Sequence, residues 1–146
     1  MQDFIHLHVH TYYSILDGQS SVSKLVDKAV ANGMRGMAIT DHGNMMGVKE
    51  LADYIAKIKG DAKKDLAKLE EELKEADETR KKEIEDDIEY QHRILAFKPI
   101  LGCEMYVAHN KKEDKIKENG DASGYHLIVL AKNYNGYKNL IKLVSR

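Results

Sequence analysis

Residues 4–10 alternate as Phe4, Ile5, His6, Leu7, His8, Val9, His10. A side-chain period of two puts the three histidines on one face and Ile5, Leu7 and Val9 on the other, which predicts a strand. Residues 11–19 lose the pattern and read as a loop, with Asp17-Gly18 as its turn signal. Ser20 or Ser21 is placed to cap a helix through Asn32. Its apolar face is Leu25, Val26, Ala29 and Val30, and Gly33 is a natural stop. Residues 36–40 form a short apolar run, a buried strand that leads straight into Asp41-His42-Gly43-Asn44. A second helix is predicted over 48–59, facing inward through Leu51, Ala52, Ile55 and Ile58.

From Asp61 to about Arg93 the chain is dense with charge and free of Pro and Gly. Leu66, Leu69, Leu73 and Ala76 recur at spacings of three and four. Arg80 interrupts the row before Ile84, Ile88 and Leu95 resume it. Two readings fit: a helical hairpin turning near Asp77-Glu78-Thr79, or one long helix with a phase shift. Either way residues 61–97 read as a solvated helical insertion without chemistry of its own. Pro99, the single proline, introduces a strand over 100–107 that carries Glu104. Residues 111–124 are polar and read as a loop. A strand over 125–131 follows with His126 at its start, and residues 133–136 turn into a closing helix with Leu140, Ile141 and Val144 inward. With the insertion set aside the order is β-α-β-α-β-β-α. Alternation of this kind predicts an α/β fold with a mainly parallel sheet or barrel, whose sites lie at strand C-terminal ends.

Composition narrows the chemistry. With 24 acids against 23 bases in 146 residues, the chain lacks the basic excess of a dedicated duplex binder. Cys103 stands alone, so no internal disulfide forms and a reducing cytoplasm is the expected compartment. No apolar run approaches the roughly 20 residues of a membrane helix, and the start carries no signal-peptide pattern, so no membrane partner is expected.

The candidate ligands mostly fall where the fold rule places sites. His8 and His10 end the first strand, Asp41 and His42 follow the second, and Glu104 lies on a later one. His126, at the beginning of its strand, is the exception. Two histidines at spacing two can converge on one cation, and Asp17 and Glu104 add hard oxygen donors. Such a set suits zinc, manganese or iron, and clustered metals suit phosphoester hydrolysis. Taken singly, His-x-His also fits hydrogen-bonded strand histidines, and Asp41-His42-Gly43 fits an ordinary turn. Glu104 in an apolar strand is harder to dismiss, because an unpaired buried carboxylate is costly.

His8-Val9-His10-Thr11 and Thr40-Asp41-His42-Gly43 resemble the first two signatures of the polymerase-and-histidinol-phosphatase (PHP) family. Gly102-Cys103-Glu104 and Tyr125-His126-Leu127 resemble the parts that follow. The longer string through Ser14-Ile15-Leu16-Asp17-Gly18, residues 40–47, and Gly136-Tyr137-Lys138-Asn139-Leu140 resemble PHP domains of bacterial replicative polymerase alpha subunits. The resemblance covers nearly the whole chain outside 61–97. It implies that residues 1–146 are the first part of a distorted (β/α)7 barrel with up to three divalent metals, Zn or Mn and also Mg. By the family pattern His8, His10 and Glu104 would hold the first, Glu104 and His126 the second, and Asp17 and His42 the third. Asp41 would orient an imidazole rather than ligate, and His6 would lie deeper in the barrel. The remaining family ligands lie downstream of the matched region, and Cys103, beside Glu104 and facing the other way, does not replace the missing cysteine.

The implied activity is that of a replicative DNA polymerase whose PHP domain carries metal-dependent 3′–5′ exonuclease or phosphoesterase chemistry. DNA and other replicase subunits are then the partners. A scaffold that docks a proofreading exonuclease, and a free-standing phosphatase, are the alternatives. An exposed barrel edge also predicts a homodimer of the isolated chain.

Overall fold

The computed structural model describes residues 4–109 and 124–146. The polar loop expected over 111–124 falls, but for Gly124, outside the described residues. Among the described residues, four helices and three strands follow in the order α1 (Val22–Ala31), β1 (Gly36–Ile39), α2 (Gly47–Glu75), α3 (Glu78–Ala96), β2 (Lys98–Val107), β3 (Tyr125–Leu130) and α4 (Tyr134–Val144). The chain is a mixed α/β fold built on a sheet in the order β1-β2-β3.

Side-chain caps set three of the helix starts. Ser21 accepts from the Lys24 N–H at the start of α1, which satisfies a donor that the first turn leaves free. Asp77 does the same for Arg80 at the start of α3, and Asn133 for Gly136 at the start of α4. The Asp77 cap decides between the two readings of the charged stretch. Ala76 is extended (ψ 144°) and Asp77 opens a new helix, so the stretch is a hairpin. Its first arm is continuous with the second helix, because α2 runs unbroken through Gly60 where the pattern suggested a stop near Lys59. A glycine inside a helix costs about 1 kcal/mol. That is small beside the packing of α2 and α3 along their length, which buries Ala62 and Ile84.

The predicted first strand is reduced to extended chain. His6 makes a single parallel bridge to Met37, and two carbonyls, of His6 and Val9, accept from Ala38 and Thr40 at 2.8 Å each. With only four residues, β1 offers few partners, and the Thr40 side chain completes the pairing by accepting from Val9 N–H at 3.0 Å. β2 starts earlier than expected and takes Pro99 into the ladder, paired with Met37.

β1 and β2 run parallel in register Gly36–Lys98 to Ile39–Leu101, whereas β2 and β3 are antiparallel. The sheet is therefore mixed rather than mainly parallel. α1 and α2 pack on it through Val22, Val26, Val30, Leu51 and Ile55, which meet Met37, Ile39 and Phe97 in one core. β1 is buried at all four positions, in keeping with a strand covered on both faces. Among the described residues no helix is long and apolar enough to cross a membrane.

Candidate metal centre

The end of the sheet where β1 and β2 finish gathers the polar side chains. Beyond β1, His42 bridges to Glu104 in parallel, with Glu104 N–H donating to Asp41 at 3.1 Å and Gly43 N–H to Glu104 at 2.9 Å. The antiparallel turn of β3 explains His126. Because β3 runs against β2, its first residues lie beside the last residues of β2, and His126 pairs with Tyr106. The start of β3 is thus at the same end of the sheet as the finish of its neighbours. Strand alternation then puts Glu104, Tyr106 and His126 on one face.

Glu104 is the centre of this face, 1% exposed. Its Oε2 lies 2.6 Å from His8 Nε2 and 2.9 Å from His10 Nε2. Its Oε1 lies 2.6 Å from His126 Nδ1 and 3.1 Å from His42 Nδ1. Neither of those nitrogens is aligned as a hydrogen bond, so Oε1 is buried without an aligned donor. Burial opposes the charged carboxylate, but the hydrogen bonds from His8 and His10 and the nearby His42 and His10 outweigh it, holding the group below its ordinary range. An ionised buried oxygen with imidazole nitrogens around it and no aligned hydrogen suits a cation better than a proton.

Two groups of donors are close enough to share an ion. In one, His8, His10 and Glu104 converge; in the other, His10, Asp17 and His42, each set with its ligand atoms within 4.8 Å of one another. Asp17 Oδ2 lies 2.5 Å from His42 Nε2 and 3.3 Å from His10 Nδ1. The hydrogen bond with His42 draws the Asp17 carboxyl below its ordinary range. His10 belongs to both groups, yet a neutral imidazole has one free lone pair. With Nε2 given to the Glu104 group, its Nδ1–H is left to donate to Asp17, the carboxylate–imidazole arrangement that orients many metal ligands.

Asp41 has a different place from the one expected. It is 2% exposed, and its carboxylate accepts from Thr11 N–H at 2.6 Å, Thr11 Oγ1 at 2.8 Å and Ser14 Oγ at 2.7 Å. It anchors the loop that follows His10 rather than an imidazole, while Ser14 Oγ in turn accepts from His42 N–H at 3.2 Å. The same loop returns Asp17 to the site. A Cβ on Gly18 would lie 1.8 Å from the Thr11 carbonyl, so only glycine permits this closure. The hydroxyls of Tyr12 and Tyr13 both donate to Glu50, tying the loop to α2. His6 is exposed, against an edge of Phe4, not in the interior. His92 and His109 join neither group. Sequence reasoning missed Tyr106, whose hydroxyl lies 2.8 Å from His42 Nδ1; its spacing of two from Glu104 was the available signal.

The chain is similar to known proteins over nearly its whole length. Over 142 residues, 97% of the chain, it is 37% identical to the DNA polymerase III subunit alpha of Borreliella burgdorferi. It is 35% identical over 143 residues to that of Treponema pallidum and 32% over 146 to that of Thermus aquaticus. The chain spans 9% of the length of each of these relatives. The PHP domain profile matches residues 6–146, which contain both donor groups and the loops that carry them, and the chain therefore belongs to the PHP domain family.

Proposed function

We propose that this chain is the metal-binding PHP module of a replicative DNA polymerase III alpha subunit, and that its site hydrolyses phosphodiesters at DNA 3′ ends. The observation that carries this reading is Glu104, a buried carboxylate with one oxygen shared by His8 and His10 and the other facing His42 and His126. His8, His10 and Glu104 would hold one ion, and Asp17 and His42 a second. His126 would complete a third with donors beyond this chain. Zinc or manganese suits the nitrogen-rich set, with magnesium a poorer match. A bound divalent ion would supply Lewis acidity toward a phosphoryl oxygen and lower the pKa of water.

The protein's own residues do the positioning. Glu104 fixes His8 and His10 from beneath, Asp41 holds the turn after His10, and Gly18 lets Asp17 reach back over the site. His8, Asp17 and His126 remain about half exposed or more, which leaves the outer side open to a nucleotide end. In this reading β1, β2 and β3 are opening strands of the distorted (β/α)7 barrel, and residues 61–97 are a helical insertion in it. DNA and the other replicase subunits would be partners of the whole polymerase. Pairing of two copies along an exposed edge gains no support from the relatives.

Full-length polymerase carrying this chain should release nucleotides from single-stranded DNA 3′ ends when supplied with manganese or zinc. The double variant His8→Ala, His10→Ala should lose that release and keep DNA synthesis. Metal uptake without any hydrolysis would instead give the domain the scaffold role.

A further inference from the structure

We propose that Tyr106 is a positioning residue for His42, its hydroxyl holding the Nδ1 edge of the ring so that Nε2 faces Asp17. The inference rests on the metal-site reading above. Tyr106 extends from β2 two residues beyond Glu104, and its Oη lies 2.8 Å from His42 Nδ1. The two rings are within 13° of parallel, with centroids 6.1 Å apart. The tyrosine ring also lies over Gly43, where a Cβ would meet it at 3.7 Å, and stands edge-on to His126 at 4.9 Å. Tyr106 therefore touches candidate ligands on two segments, His42 beyond β1 and His126 on β3. Across His42, on its far edge, Nε2 is 2.5 Å from Asp17 Oδ2.

The chemistry of imidazole makes a hydroxyl the fitting partner. Ligation through Nε2 requires that nitrogen to be free of hydrogen, so the proton must sit on Nδ1. When Nε2–H instead donates to Asp17, Nδ1 is an acceptor. Tyr106 serves both states without moving, because a phenol hydroxyl donates to a bare Nδ1 and accepts from a protonated one. Glu104 Oε1, the other neighbour at 3.1 Å, only accepts. Phenylalanine would keep the ring stack and lose both roles.

The test compares Tyr106→Phe with the wild-type 146-residue chain after matching their circular dichroism. In metal-free protein, side-chain nitrogen NMR should show the His42 Nδ1 resonance displaced and that of His92 unchanged. In zinc titrations against a competing chelator, the Asp17–His42 group should lose about 10–100-fold in affinity. In an Asp17→Asn background, which already lacks that group, Tyr106→Phe should add nothing. An unchanged His42 resonance with unchanged affinity would overturn the proposal, as would an equal loss of zinc affinity in the Asp17→Asn background. A wild-type chain that takes up no zinc would sink the metal reading, and this inference with it.

Discussion

The α2–α3 hairpin and the candidate metal centre both concentrate charge, and they use it in opposite ways. On the hairpin, Arg80 meets Glu72 at 3.0 Å and Glu83 at 2.7 Å, and Lys81 meets Glu78 at 2.8 Å. All of these side chains are 40% exposed or more. Water and salt screen such pairs, and each must still order two long side chains, so they add little stability. At the centre a single carboxylate, out of reach of water, collects His8, His10, His42 and His126. There the surroundings must supply what water would have supplied. The difference teaches that the number of charges says little, while a buried one obliges its surroundings to match it.

The contrast can be broken most forcefully at Asp41. Replacing it with alanine strands three buried donors, Thr11 N–H, Thr11 Oγ1 and Ser14 Oγ. At about 1–3 kcal/mol each, with partial rescue by water, the expected loss is about 4 kcal/mol in a urea melt. A fall under about 1 kcal/mol would mean that the loop is anchored elsewhere.

Acid should probe the same region more gently. The fold holds the Glu104 carboxyl below its ordinary 4.5, so the unfolded chain takes the proton first as pH falls. Its contribution is then complete above about 4.5 and is lost as pH drops through the lower folded value. The thermal midpoint of the metal-free wild type should therefore fall more steeply between about pH 5 and about pH 3 than that of Glu104→Gln. Parallel slopes would remove Glu104 from the account. The smallest effect belongs to the hairpin: Arg80→Ala, which deletes two ion pairs at once, should leave the midpoint unchanged. A clear drop would show that the hairpin's charges act as a network rather than as solvated pairs.

Much of this was legible in residue order, and the failures have physical reasons. His8, His10, His42 and Glu104 come together at the strand ends that alternation indicated, whereas Asp17, on a loop, was tied to His42 only by the family resemblance. Apolar periodicity also located α1 and the inner turns of α2. His126 looked misplaced because alternation shows which face a residue takes and not which way its strand runs; only the β2–β3 register resolves it. The second helix was expected to end at Lys59, whereas α2 continues through Gly60 because packing against α3 outweighs the low helix propensity of glycine. The first strand was over-read, since its alternation is real but β1 has too few residues to pair with all of it. Asp41 was expected from the family resemblance to orient an imidazole, whereas its aim depends on how the 11–14 loop folds back.

The most direct test of the central claim is elemental analysis of the purified 146-residue chain, equilibrated with zinc and then dialysed free of loose metal. The account predicts bound zinc in the wild type and its loss in the His8→Ala, His10→Ala variant, with the helical signal of both intact. Equal zinc in the two proteins, or none in either, would contradict it.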